Sequence, residues 1–233
     1  MRPSPSAILT YHSIGGGSSV VETPAGLFVR QMEWLAESGM PVVGLEQSIV
    51  QPGTVALTFD DGYRDFMSAA LPVLQRFSFP ATIFAVTDYC RTGGGWMDWE
   101  QMREAARAGV SIGAHGVDHA DLSRVGPEAA QRQLGDCRRM LEDRLGVAVR
   151  TCAYPYGLST PALREWSRRE FAVSCGTRLD YACSGDDRAD LPRIDVYYLR
   201  RMALFRQIGR PAGRGYLAFR RVLRERRGRW AYE

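Results

Sequence analysis

The chain of 233 residues contains no lysine and only three histidines. Without lysine, Schiff-base chemistry and lysine nucleophiles are excluded, and all basic charge is arginine. The five cysteines (Cys90, Cys137, Cys152, Cys175 and Cys183) are widely spread and none forms a Cys-x-x-Cys pair. That pattern reads as buried or idle thiols in a reducing compartment. No Gly-x-Gly-x-x-Gly follows a strand and no Gly-rich phosphate loop ends in Lys, so nucleotide-dependent chemistry has no motif here. No apolar run approaches a membrane span. Met1 to Ser6 is polar and proline-rich and leads straight into a strand, so no signal peptide is expected. The resulting expectation is a cytoplasmic protein.

What is present is an ordinary globular composition, 45% hydrophobic and 24% charged, at a length suited to one large core. The net charge of +4 is unevenly placed. Residues 200–233 hold eleven arginines against two acidic residues, so this tail carries +9 and the body −5. Residues 1–198 are expected to form one α/β domain, and residues 199–233 a basic amphipathic tail. Arginines alternate there with Leu, Phe, Tyr and Val. The segment reads either as a helix closing the fold with a solvated basic face, or as peripheral contact with an anionic membrane at its inner face. An acidic body without a recognised motif argues against nucleic acid as a partner.

Short apolar strands alternate with helices. Strands are expected at 7–11, 41–45, 55–59, 81–86, 110–114, 147–153, 171–175 and 193–197. Helices are expected from Thr23-Pro24 to about Gly39, from Tyr63 to Phe77 with an interruption at Pro72, from Asp98 to Ala108 with an Asp98–Gln101 capping box, from Pro127 to Leu145 with Gly146 as C-cap, and from Pro161. This βα alternation argues for a parallel sheet or barrel.

The chemistry clusters at strand ends. Asp60 and Asp61 follow Val55–Phe59; taken alone, Asp-Asp-Gly reads as a turn. His12, His115 and His119 each lie just past a strand, as does Tyr154-Pro155-Tyr156-Gly157. In a parallel barrel those loops share one mouth. His115 and His119 are spaced i, i+4, so one helical turn would set both imidazoles on one face. With one carboxylate they make a three-ligand site that leaves a position for water, the catalytic pattern for zinc. Each feature by itself also has a bland reading: two unrelated surface histidines, or a buried and satisfied His12.

The set Thr-Phe-Asp-Asp-Gly, His-x-x-x-His and Tyr-Pro-Tyr-Gly, in this order, resembles the polysaccharide deacetylases, the NodB-homology domains of carbohydrate esterase family 4. The likeness spans roughly Ala7 to Val196. It implies a single-domain α/β fold, a distorted (β/α)7-type barrel of parallel strands. It implies a metal-dependent hydrolase that removes an N-acetyl group from an amino-sugar substrate. Asp60 would be the general base, with Asp61, His115 and His119 as metal ligands. Tyr156 would offer its backbone N–H to the oxyanion. The metal implied is a divalent cation, Zn2+ first, with Co2+, Ni2+ or Fe2+ as alternatives. Three positions depart from the family pattern. Gly116 stands where Ser or Thr is usual. Ala153 stands where many members carry an Arg that tethers the catalytic Asp. No late histidine exists to act as acid. Tyr11-His12-Ser13-Ile14 resembles the N-terminal segment of a permuted branch, which implies His12 as the acid. Tyr63, Trp96 and Tyr154 are the candidates for contact with the sugar; Trp99 reads as core. A deformylase for a lipid- or nucleotide-linked sugar, and a sugar-binding domain without catalysis, are the competing readings.

Overall fold

The computed structural model describes residues 5–15, 19–92 and 94–226. Met1 to Ser4, Gly93 and the end of the tail from Arg227, on which parts of the sequence reading fall, lie outside the described residues. In chain order the elements are β1 (Ala7–Tyr11), β2 (Ser13–Gly15), β3 (Glu22–Pro24), α1 (Ala25–Ser38), α2 (Leu45–Val50), β4 (Val55–Asp61), a π-helical turn (Phe66–Ala70), α3 (Leu71–Arg76), β5 (Ala81–Ala85), α4 (Thr87–Thr92), α5 (Trp99–Arg107), β6 (Ser111–Ala114), α6 (Pro127–Leu145), β7 (Thr151–Ala153), α7 (Pro161–Glu170), β8 (Val173–Cys175), β9 (Ile194–Asp195), α8 (Met202–Phe205) and α9 (Pro211–Arg226).

Seven strands form one parallel sheet in the order β8-β7-β6-β5-β4-β1-β9. Parallel strands buried on both faces read as continuous apolar runs, as Ala7–Tyr11 and Val55–Phe59 do. The sheet curls into a distorted half-barrel, so the expected (β/α) architecture stands. Alternation along the strands divides the core in two. Leu9, Tyr11, Leu57 and Phe59 face the helices and join the large outer core. Ile8, Ala56, Phe84 and Ala153 face inward with Val173, Cys175 and Leu191. On the outer side Tyr11 stacks on Phe59 at 5.3 Å and meets Phe28 edge-on at 5.2 Å. Its hydroxyl donates to Gln31 Oε1 at 2.9 Å, which gives a polar tip inside the core its partner.

Several local expectations change. Residues 41–45 are not a strand: only Val42 bridges β4, and Leu45 already opens α2. Thr23 is buried in β3 and caps nothing; Pro24 is the N-cap of α1. The helix foreseen from Tyr63 is split, because Pro72 has no N–H to give an α turn. A π turn precedes it and α3 starts with Pro72 in its first turn. The capping box of α5 and the left-handed glycine caps at Gly39 and Gly146 are where the sequence places them.

Candidate active site

Strand β4 is two residues longer than its apolar run and includes both carboxylates. Alternation therefore sends Asp60 inward, in line with Ala56 and Thr58, and its neighbour Asp61 elsewhere. Asp60 is 4% exposed. Its partner is Arg193, which immediately precedes β9 and is itself 2% exposed. The guanidinium grips the carboxylate with two bonds of 2.7 Å, one to each oxygen. Arg193 also donates to the Gly176 carbonyl at 2.9 Å and to Thr58 Oγ1 at 3.3 Å. Burial alone would raise the Asp60 pKa; the Arg193 guanidinium, with His115 and His12 adding to it, outweighs burial and holds it below the usual carboxylate range. Asp60 is thus an anion at neutral pH, fixed in orientation, with a second lone pair on each oxygen.

Asp61 turns toward the histidines. Its Oδ1 lies 3.5 Å from His115 Nε2 and 3.3 Å from His119 Nε2. One ligand atom from each of the three residues lies within 4.8 Å of the others. His115 is buried, and its Nδ1 bonds the Ala153 carbonyl at 2.8 Å. A carbonyl only accepts, so Nδ1 carries a proton, and in the neutral imidazole Nε2 is the atom whose lone pair faces the cluster. Asp61 Oδ1 is buried without a hydrogen-bond partner. An orphaned carboxylate oxygen facing the Nε2 atoms of two imidazoles fits a divalent cation. Burial would raise Asp61, yet the surrounding histidines hold it far below the usual range.

The His115–His119 segment is an open loop, not a helical turn. Gly116 at φ 88° and His119 at φ 64° bend it so that His119 returns to the cluster. A Ser or Thr at position 116 would be strained in that conformation, so the glycine is required by the path of this loop. Gln133 of α6 supplies support instead. Its Oε1 accepts from the Val117 N–H at 2.8 Å and the Asp118 N–H at 3.3 Å. Asp61 (φ 70°) and Tyr156 (φ 58°) are also left-handed. Three non-glycine residues in that sparsely populated region converge on one site, which is where strain tends to be retained.

The other sequence candidates are placed as follows. His12 directly follows β1, whose last residue Tyr11 pairs with Phe59 of β4, the residue before Asp60. Tyr156 is 49% exposed, and its ring centroid lies 4.6 Å from that of His119. Tyr63 and Trp96 form an antiparallel bridge, and the two rings lie 6.2 Å apart. Tyr89, which the sequence reading did not single out, stacks on Trp96 at 4.2 Å and lies 6.2 Å from His119. Burial, then the nearby Asp61, pushes the Tyr63 hydroxyl up to about 12. Tyr154 does not reach the mouth. It is fully buried, and its hydroxyl bonds Ser167 Oγ and the Ala189 carbonyl; Ala153 faces inward, so the next residue turns outward into the core under α7.

Residues 48–170 match the family model for the polysaccharide deacetylase domain. The chain belongs to the polysaccharide deacetylases. Among curated members it is 30% identical over 164 residues to YxkH of Bacillus subtilis, a protein assigned to the same family, covering 67% of this chain and 58% of that one. It is 32% identical over 109 residues to the poly-beta-1,6-N-acetyl-D-glucosamine N-deacetylase of Escherichia coli, covering 37% of this chain and 16% of that one. The chain therefore spans less than two thirds of the length of these relatives. Among solved structures it resembles the Streptococcus pyogenes deacetylase PplD in complex with acetate, at 25% identity and a TM-score of 0.77, covering 83% of this chain and 92% of that one.

Within this polysaccharide deacetylase the departures from the family pattern acquire a physical account. Ala153 leaves no side chain to hold Asp60, and Arg193 holds it from the other end of the chain. The sequence signal was weak: a single arginine opening a short apolar strand. No helix among the described residues is long and apolar enough to cross a membrane.

Proposed function

We propose that the protein removes an N-acetyl group from an amino-sugar-containing substrate by hydrolysis. One observation carries this: a buried, guanidinium-locked Asp60 stands one residue from a carboxylate that shares a cluster with two histidines. Asp61, His115 and His119 would hold a divalent cation, with zinc the first choice for one carboxylate and two imidazoles. When bound, such an ion lowers the pKa of a water and polarises an acyl carbonyl.

The chain's own groups account for the proton traffic. Asp60, ionised and fixed by Arg193, accepts the proton of the attacking water. The left-handed Tyr156 turn offers a backbone N–H toward the developing oxyanion. His12 gives its proton to the amine, which is too basic to leave unprotonated. The register of β1 on β4 supports that assignment, as does the pull that His12 exerts on both Asp60 and Asp61. Tyr63 and Trp96, with Tyr89, form an aromatic wall for a sugar ring. Arg193 and Gln133 provide the supports whose absence motivated a binding-only domain, which favours the enzyme.

Acetate release from N-acetylated oligosaccharides, a nucleotide-linked sugar and a lipid-linked sugar, each with zinc and with chelator, tests the reading. Zinc-dependent release from at least one is expected. Formate release from an N-formylated nucleotide- or lipid-linked sugar, with no acetate from the N-acetylated panel, would move the assignment to a deformylase.

For the tail we propose contact with an anionic membrane surface at the inner face. On α9, Phe219 (61% exposed), Val222 (43% exposed) and the exposed Arg226 are spaced i, i+3, i+7 and so lie on one outward face. Sedimentation with phosphatidylglycerol vesicles is expected and should be lost in Phe219→Ser/Val222→Ser. Equal sedimentation of that variant removes the idea.

A further inference from the structure

The turn that carries Tyr156 is held by residues far along the chain. Tyr156 and Gly157 are both left-handed, at φ 58° and φ 67°. The N–H groups of Gly157 and Leu158 close the turn onto the carbonyls of Tyr154 and Pro155, at 2.8 and 3.2 Å. Thr177, two residues past β8, backs it. Its hydroxyl donates to the Tyr156 carbonyl at 3.4 Å. The turn also rests its backbone on Thr177: a Cβ at position 157 would collide with the Thr177 side chain, so only glycine allows this approach.

Thr177 is held in turn by α9. Arg224 donates to its carbonyl at 2.9 Å and to its hydroxyl at 3.2 Å. The hydroxyl therefore accepts from a guanidinium and donates to Tyr156, and a hydroxyl polarised by a cation is the better donor. The helix that supplies Arg224 is anchored. Leu217 is 1% exposed within the outer core, the Tyr216 hydroxyl donates to the Tyr198 carbonyl at 3.0 Å, and Arg221 is ion-paired with Asp180. The residue before Thr177 serves the other half of the site. The Gly176 carbonyl accepts from Arg193 at 2.9 Å, and Arg193 grips Asp60. Residues 176–177 thus join the clamp on Asp60 to the Tyr156 turn.

We propose that Thr177 and Arg224 are positioning residues for the reaction: through them α9 holds the Tyr156 backbone in the left-handed conformation that presents its N–H to the oxyanion. The inference rests on the deacetylase reading. It gives a part in turnover to a helix outside residues 48–170, which the family model matches. A non-glycine residue stays left-handed only where its surroundings hold it. The oxyanion exists only in the transition state and the intermediate next to it, so loosening the turn weakens stabilisation there and leaves ground-state binding unaltered.

Two measurements on the zinc-loaded full chain test this. The first is amide hydrogen exchange resolved by residue. In Thr177→Val, which keeps the shape and removes the hydroxyl, and in Arg224→Gln, the Gly157 and Leu158 amides are expected to exchange at least about tenfold faster, with Phe59 in β4 unchanged. The second is the rate of acetate release from N-acetylglucosamine oligomers. A drop of about tenfold in kcat is expected, smaller than the 10²–10³-fold that follows outright loss of an oxyanion donor, with KM and zinc content unchanged. Thr177→Ser keeps the hydroxyl and should restore most of both. Parent-like exchange at Gly157 and Leu158 in Thr177→Val overturns the brace whatever the activity. Faster exchange with unchanged kcat overturns the positioning role, as does a kcat loss that Thr177→Ser shares in full or that tracks lost zinc. No acetate from the parent removes the deacetylase reading and the catalytic role with it, while exchange still decides whether α9 braces the turn.

Discussion

Asp60 is a carboxylate inside a protein core, and the group that lets it stay ionised is Arg193. Removing one member of a buried ion pair strands the other, at a cost of about 3–5 kcal/mol. Arg193→Ala is therefore expected to lower the stability by about that amount in chemical denaturation and to slow turnover sharply. A variant as stable and as active as the parent would show that the pair is ornamental. The adjacent Asp60 and Asp61 were legible in the sequence because two neighbouring carboxylates at the end of an apolar strand are hard to place without a cation. Arg193 was not legible, since 133 residues separate it from Asp60 and nothing local marks the pairing. Tyr154 misled for a similar reason: its place in the Tyr-Pro-Tyr-Gly run put it near the mouth, but alternation after the inward-facing Ala153 turns it outward into the core under α7.

Among the elements, the loop from His115 to His119 matters most. It carries two metal-ligand candidates on a path that needs left-handed backbone at Gly116 and His119, and its free N–H groups are gathered by a single side chain, Gln133. Gln133→Ala should loosen the loop without altering any ligand. The expected result is a drop of about 10–100-fold in zinc affinity, read by competition with a chelating dye, with activity recovered by added zinc. Unchanged zinc affinity would remove Gln133 from the site. The sequence announced His115 and His119 by spacing, but it suggested a helical turn, because i, i+4 is the helix period and a loop leaves no periodic trace. The same limit produced the false strand at 41–45, a short apolar run that continues into α2. The break at Pro72 was foreseeable; the π turn that absorbs it was not.

For the whole molecule, alternating strands and helices were enough to foresee a parallel barrel, because burial on both faces writes itself into β1, β4 and β5 as apolar runs interrupted before the strand ends only by Thr10, Thr58 and Thr82. Its curl depends on long-range packing that composition does not encode. The same two-faced burial protects the cysteines. Burial pushes the Cys90, Cys137 and Cys175 thiols up to about 12, and raises Cys152 as well. Thiols raised this far stay protonated near pH 8, and only the thiolate reacts. Alkylation of the native protein at pH 8 is expected to label the exposed Cys183 alone, and all five in denaturant; rapid native labelling of a second thiol would contradict the packing. The central claim is that Asp60 does the chemistry beside a metal held by its neighbours. The most direct measurement is zinc content together with acetate release, on parent, Asp60→Asn and His12→Ala, with N-acetylglucosamine oligomers as substrate. The account predicts zinc retained in all three. It predicts release falling by about 10²–10⁴-fold in each variant. Full turnover by Asp60→Asn with zinc in place would contradict it.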